Sequence, residues 1–460
     1  MTINHTLIEL MANSSSQIIV ASHLNPIYTS ANTDVAAVDA NGVVTAKAYG
    51  DTVIIVEDYA SGYQENVAIR VHKLMSIQNT LPTYEIDPSK QIVIDREAGQ
   101  YLGQPDSILL DDDQTIITIY PKGHGIGEAV LNKSFDGGLT WVGRTYANET
   151  WKDSRETPTI YNLDFNDGSQ KIISISGGPG WGHDQFKGWK TSISMNLGET
   201  WSDYKEWYKG TETIVAMASL VKLKDNNGNW LNKWMGVYHD NSFTNYKTHL
   251  TFDEYGEEQW SAPESYLQPY QETESIVQLC EACIFRSPDG NQLILVARSQ
   301  SHMHKSTISF SNDEGDSWSR PREVQGSLNG ERHQVQYDPI SNRIVITFRE
   351  IILDYNNDSI IENDDWMAGN WVAWVGTYDD LVNGKEGQYR IILGEDFTPS
   401  RKSGDCGYAG NIVMKDGTFF LNSYGYFDKS EVERLGTDAK PYIMGVRFKL
   451  AEIDKKLNLV

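Results

Sequence analysis

The sequence predicts an all-β protein: a six-bladed β-propeller preceded by a small β-sandwich. Three observations carry this. First, Ser134-Phe-Asp136-Gly-Gly138-Leu-Thr140-Trp141, Ser194-Met-Asn196-Leu-Gly198-Glu-Thr200-Trp201 and Ser311-Asn-Asp313-Glu-Gly315-Asp-Ser317-Trp318 share the pattern S-x-[D/N]-x-G-x-[T/S]-W. Looser copies run from Thr251 through Asp253 and Gly256 to Trp260, and from Thr377-Tyr378-Asp379, so that successive starts lie 60, 57, 60 and 66 residues apart. A fixed period of this length marks stacked units that cannot bury their apolar faces alone. Second, the stretches between boxes are short alternating runs with Asp/Gly turns and no useful helical periodicity. Third, residues 1–75 lie outside the repeat and have a different texture.

In chain order, residues 1–75 alternate β-rich runs (Gln17–Val20, Val43–Ala46, Thr52–Val56, Val67–Val71) with polar turns, as a sandwich would. Asn41-Gly42 between two alternating runs is a hairpin signal. Residues 76–90 read as a linker, and 91–460 as the propeller, about six units at a period near 60. Within one unit, Thr159–Tyr161, Lys171–Ile175 and Thr191–Ser194 are the expected strands. The last unit is expected to close by pairing Gln91–Asp95 with Tyr442–Phe448. The boxes themselves read as turns between the third and fourth strands. Their Asp accepts backbone N–H groups, Gly supplies a positive φ, and Trp packs between blades.

Composition narrows the function. A net charge of −24 argues against nucleic acid, which needs a basic surface. No apolar run reaches about 18 residues, so no membrane span is expected. Three cysteines, Cys280, Cys283 and Cys406, are too few for a disulfide scaffold or a zinc site and read as buried thiols. The start, Met1-Thr-Ile-Asn-His-Thr, lacks the pattern of a secretory signal; the expected location is extracellular, on a cell surface or on a phage virion. No cofactor is expected. Asp354, Asn356, Asp358, Glu362 and Asp365 have the spacing of a calcium loop, but Ser359 replaces the expected glycine, and a solvated acidic insertion is the other reading.

In a propeller, the start of each innermost strand and the end of each second strand open onto one face around the axis. Innermost starts offer Gln104, Asp106, Arg155, Glu156, Met217, Glu281, Arg332, His333 and Tyr408. Second-strand ends offer Lys122, His124, the loop from Gly177 to His183, His239, Asp240, Arg298, Arg349 and Tyr424. Charged groups at the ends of apolar strands are costly unless paired or used, so this face is the expected pocket.

Two resemblances add to this reading. The segment Asp34–Gly50, with Val-Asp39-Ala-Asn41-Gly42-Val-Val-Thr-Ala, resembles the bacterial immunoglobulin-like domain of group 2, which implies a spacer or an attachment unit. The repeated boxes resemble the Asp-boxes of the sialidase superfamily. Likeness to bacterial exo-sialidases is carried by Gly103–Asp106, Tyr120–Gly125, Cys280–Cys283, Arg332-His333, Thr347–Arg349, Trp371–Asp380 and Asp405–Tyr408. The resemblance implies a retaining exo-glycosidase acting on terminal sialic or related ulosonic acids of glycans, without cofactor. It implies Tyr408 as nucleophile, Glu281 as its base, and Arg298 and Arg349 as a clamp on the sugar carboxylate. The first family arginine is absent, Gln104 standing near its place, and Arg332 is the first expected substitute, with Lys122 and Arg155 as others. The family's acidic residue is also absent from the first-blade loop, which leaves His124 or Asp106 as the general acid. His333, His239 and Asp240 are further expected sugar contacts. A sialidase-fold hydrolase for a different sugar, and a non-catalytic glycan-binding adhesin or virion protein, are the competing readings.

Overall fold

The computed structural model describes residues 3–11, 15–20, 26–47, 50–72, 81–181, 185–356, 361–362, 364–400 and 402–459. The chain divides into two compact units, Met1–Ser76 and Ile77–Val460.

The first unit is two small sheets over one apolar core. Leu7–Met11, Gln64–His72, Gly50–Asp58 and Pro26–Ser30 form one sheet, the first pair parallel. Ser15–Gln17, Val43–Ala46 and Ala36–Val38 form the other. Alternate residues such as Ile54, Val56, Val67, Ile69 and Val71 are buried between them with Ile18 and Val44, the period-2 pattern of half-buried strands. At the hairpin, Asp39 Oδ1 accepts from the backbone N–H of Asn41 (2.9 Å) and of Val43 (2.8 Å). Gly42 has φ +78°, and a Cβ there would lie 2.6 Å from the Ile18 carbonyl oxygen.

Among the described residues the second unit contains six sheets. Their first strands are Asp106–Leu109, Thr159–Asp164, Ile214–Lys224, Leu279–Arg286, Gly330–Tyr337 and Ala409–Val413, and each adjoins the next, the last adjoining the first. That closed ring of sheets is a β-propeller. The second strands Ile116–Pro121 and Leu293–Ser299 are buried along their whole length, because a blade is covered on both faces by its neighbours. In the sixth sheet Ile92–Asp95 pairs antiparallel with Tyr442–Phe448, so one blade is built from both ends of the unit.

The boxes are self-contained turns that follow the third strand of their blade; in the first blade, a three-stranded sheet, no fourth strand follows among the described residues. In the first, Ser134 Oγ accepts from Gly138 N–H (2.8 Å), and Asp136 accepts from Thr140 N–H (2.9 Å) and Thr140 O–H (2.6 Å). The two main-chain bonds recur at Ser194–Trp201 and Ser311–Trp318; Ser317 O–H donates to Asp313 as Thr140 does to Asp136, whereas Asn196 Nδ2 donates to Thr200 Oγ1 at 2.9 Å. Each box Trp then packs toward the preceding blade: Trp141 on Phe420, Trp201 on Trp151, Trp260 on Trp189 and Trp318 on Tyr266. Gly138 is required twice over, by its φ of +87° and because a Cβ would lie 2.4 Å from the Phe420 ring. The Thr377 copy differs: Thr377 and Asp380 form a reciprocal cap on a short helix, Tyr378–Val382.

Two expectations need correction. Part of the segment read as a linker is structured: Thr83–Glu85 adds a fifth, parallel strand to Tyr389–Gly394 in the fifth sheet, and Pro88–Lys90 is a capped 3-10 turn. A three-residue edge strand is too short to show alternation. Short helices also occur, at Gln271–Val277, Lys429–Leu435 and Leu450–Lys456, each a turn or two fixed by packing or capping.

Candidate functional site

The face that carries the expected site residues is shaped by a repeated irregularity. Gln104, Val215, Glu281 and Arg332 have φ of +27°, +47°, +51° and +56°, unfavourable for residues with a Cβ. The last three coincide with breaks in register between the first and second strands of their blades, between Ile214 and Ser219, Cys280 and Cys283, and Glu331 and Gln334. Such bulges re-aim a side chain at the cost of local strain. Here they turn Glu281 and Arg332 across the ring, where their partners lie 127 and 114 residues away in the chain.

At the centre, the Tyr408 hydroxyl donates to Glu281 Oε1. The same oxygen accepts from Arg298 NH1 at 2.9 Å. Arg298 NH2 reaches Glu331 Oε1 at 2.9 Å, and Arg349 Nε donates to Glu331 Oε2 at 2.8 Å with its NH2 on the same oxygen. His302 Nε2 donates to Glu331 Oε1 at 2.8 Å, its ring stacked 3.7 Å from Trp366. Burial works to raise the carboxyls of Glu281 and Glu331, but Arg298 and the other donors outweigh it and hold both below the usual range. Burial and the Glu281 charge push the Tyr408 phenol well above its usual value. The resting pair is therefore a neutral phenol bonded to a carboxylate. Among the described residues, Glu281 Oε2, Arg298 Nε and His239 Nε2 are buried without a hydrogen-bond partner, which is where polar groups of a ligand would be met.

A second cluster adjoins the first through Tyr424, whose ring lies 6.3 Å from that of Tyr408. Asp405 accepts from Tyr424 (2.9 Å) and Tyr101 (2.8 Å), and its Oδ1 lies 3.2 Å from His124 Nδ1. Burial opposes the charge of Asp405, but hydrogen bonds from His124, Tyr101 and Tyr424 keep it below the usual range. Gln104 Oε1 accepts from Gly125 N–H at 2.9 Å and so fixes the glycine-framed loop that carries His124. The His124 side chain is 64% exposed, and its Nδ1 also lies 2.6 Å from the Tyr101 hydroxyl. His124, Asp405 and Arg349 line one cavity of about 440 Å³, together with Tyr426 and the Thr398–Ser400 loop.

The structure thus brings together Tyr408, Glu281, Arg298 and Arg349, and separately His124 and Gln104. Other expected site residues are used differently. Asp106 accepts from the N–H of Ser107 and of Ile160, both at 2.9 Å, and ties the first blade to the second. Burial pushes it up to about 6, but no hydrogen bond joins it to His124. Arg332 does not complete the arginine pair: it donates to the Ala218 carbonyl at 3.1 Å and its guanidinium lies 5.7 Å from the Tyr408 ring centre. Lys122 pairs with Glu128, and Arg155 with Ser154 and Asp153. His333 is fully buried on Phe348 and bonded to the Leu328 carbonyl, burial lowering it to about 4. Asp240 closes its own turn on Ser242 and Thr244. His239 is buried with Nδ1 on the Asp240 carbonyl, burial lowering its value despite the Glu281 charge. At the acidic loop, Asp365 accepts from Asn356 N–H; Asp358, like His183 in the second-blade loop, lies outside the described residues. Among the described residues no cluster of His, Cys, Asp or Glu is arranged to hold a metal, and the three cysteines are free and buried.

Sequence reasoning missed Glu331, Asp405, Tyr101 and His302. Glu331 stands beside the two residues that were singled out. Glu156 is buried, accepts from Val215 N–H at 2.8 Å, and is pushed up to about 8 by burial.

Residues 165–333 match the family model described as BNR repeat-like domain. No curated protein matches the chain. An α-L-arabinofuranosidase from Fusarium graminearum, solved with an iminosugar inhibitor, aligns over 79% of this chain and 98% of its own at 11% identity and TM-score 0.53. An α-L-arabinanase from Penicillium chrysogenum, solved with arabinobiose, gives 79%, 98%, 13% and 0.53. An intramolecular trans-sialidase from Ruminococcus gnavus gives 76%, 95%, 13% and 0.48. By its ring of sheets the second unit is a β-propeller, and residues 165–333 of it carry the BNR repeat-like domain.

Proposed function

We propose that the propeller is a retaining glycoside hydrolase that removes a terminal sugar from glycans. The observation that carries this is the buried hydrogen bond from Tyr408 to Glu281, with Arg298 on the same carboxylate oxygen. In this reading the Tyr408 oxygen attacks the anomeric carbon while its proton passes to Glu281, so the phenolate never has to exist free in a buried site. His124, oriented by Asp405, gives a proton to the departing glycosidic oxygen. The same imidazole then takes a proton from water, whose oxygen attacks the anomeric carbon and breaks the glycosyl–tyrosine bond, while Glu281 returns its proton to the departing Tyr408 oxygen. His124 is favoured over Asp106 because it is exposed on a cavity wall, whereas Asp106 is held by main-chain amides of two blades.

Two sugar classes fit this centre. The paired Arg298 and Arg349 support a sialic or related ulosonic acid. The occupation of both guanidiniums by Glu331 favours an uncharged sugar. We read the first unit as a spacer or attachment module on a cell surface or virion, from its hairpin and two-sheet core. Turnover measured on a panel of aryl glycosides, with Tyr408→Phe and Glu281→Ala as comparisons, tests the hydrolase reading. Binding of glycans by the wild type without turnover would replace it with an adhesin.

A further inference from the structure

The acidic and basic groups on the floor of this site are counted out against each other. Arg298 gives NH1 to Glu281 and NH2 to Glu331. Arg349 gives Nε and NH2 to Glu331, and NH1 only a long 3.4 Å bond to the Gly404 carbonyl. Two guanidiniums from adjacent blades therefore meet head-on at one carboxylate, the geometry that suits a fork gripping a carboxylate from a ligand. Here that carboxylate belongs to the protein.

We infer that Glu331 is a specificity-determining residue: its carboxylate fills the Arg298–Arg349 fork from inside, so the sugar taken at the Tyr408 centre carries no carboxylate of its own there. This rests on the glycosidase reading for the identity of the ligand as a sugar, and names its class as uncharged at the anomeric carbon.

Glu331 is only 2% exposed and is fixed on three sides, by the two arginines and by His302, itself clamped under Trp366. Swinging it aside to admit an anionic sugar would strand a buried charge without partners, which is strongly unfavourable. Leaving it in place would set a second carboxylate against it with Arg298 Nε as the main donor still free. The chain's net charge of −24 also works against an anion approaching. The tyrosine nucleophile is consistent with this. Glu281 and Glu331 already place two negative charges at the centre, and a neutral phenol joins them without the repulsion that a third carboxylate would meet.

The test reads binding and melting rather than turnover, so it stands apart from the hydrolase reading, which Tyr408→Phe turnover decides. The full chain is titrated calorimetrically with 2-deoxy-2,3-didehydro-N-acetylneuraminic acid and with its methyl ester. Equal binding, or none of either, is expected; an acid bound about tenfold or more tighter than the ester would overturn the inference. Separately, Glu331→Ala opens the fork, and sodium acetate should then raise its melting midpoint by about 2 °C over sodium chloride at equal ionic strength, while leaving the wild type unmoved. Acetate stabilising the wild type as much as the variant, or failing to stabilise the variant, would also overturn it. Should Glu331→Ala not fold, Glu331→Gln keeps the shape and drops the charge. It should bind the acid about tenfold more tightly than wild type, and unchanged affinity counts against the inference.

Discussion

The propeller uses carboxylates in two ways, at turns remote from the pocket and at the strand starts that form it. In the Asp-boxes, Asp136 and Asp313 take their bonds from Thr140 and Ser317, four residues on. At the strand starts, Glu281 and Glu331 take theirs from other strands and blades, 17, 18, 29 and 127 residues away. The box carboxylate is satisfied by its own turn and would be so in any copy of that turn. The strand-start carboxylate is satisfied only when strands of different blades have come together. One kind of acid specifies local shape; the other depends on global assembly and is available for chemistry.

The widest gap between the two should appear in catalysis. Tyr408→Phe is expected to remove essentially all glycosidase turnover, and Glu281→Gln to lower kcat by about 10²–10⁴-fold, with melting shifted far less than activity. Asp313→Ala should leave kcat unchanged, and a loss of turnover there would erase the distinction. Next in size, Glu331→Ala breaks a buried ion-pair cluster and should cost about 3–5 kcal/mol in denaturant unfolding, where Asp313→Ala costs about 1 kcal/mol. The folded Glu331 carboxyl lies below its unfolded value. Its contribution is therefore present above the ordinary carboxylate range and lost as pH falls below it, so the wild type should lose stability on acidification more steeply than Glu331→Gln. Glu156 provides the opposite slope. Pushed up to about 8, it keeps a proton in the folded state that the unfolded chain releases from near its usual value upward. Stability should then fall as pH rises through that window, by no more than about 1.4 kcal/mol per pH unit, and Glu156→Gln should flatten that limb. Least affected should be the looser box: Asp253→Ala, at an exposed turn, is expected to leave turnover unchanged and to shift the melting midpoint less than Asp313→Ala does.

The same contrast explains what could be read from the residues. The boxes, the β-rich first unit and the pairing of Ile92–Asp95 with Tyr442–Phe448 rest on local pattern and period, which survive in a linear string. Tyr408, Glu281, Arg298 and Arg349 could be brought together because each ends or starts a strand in a fixed propeller frame. Glu331 escaped because it is adjacent to Arg332 and His333, and a left-handed residue at 332 decides which of the three faces Arg298 and Arg349. A bulge of that kind leaves no mark in the alternation of side chains. Asp106, His333 and Asp240 sat in the right neighbourhood, yet their partners are main-chain groups of particular turns and strands. Main-chain partners do not show in side-chain identity. Asp405 joins Tyr101 and His124 only through a crossing of the first and last blades, Tyr101 and Asp405 lying 304 residues apart in the chain.

The shared sixth blade has a consequence for how this unit assembles. Val93 must find Met444, so the ring is shut by one of the longest loops the chain can close, and such contacts form late and slowly. Until Tyr442–Phe448 has emerged and docked, the five other sheets form an open crescent with bare edges. Truncation just before Tyr442 should therefore give a chain prone to self-association, even though every residue of the pocket precedes the cut.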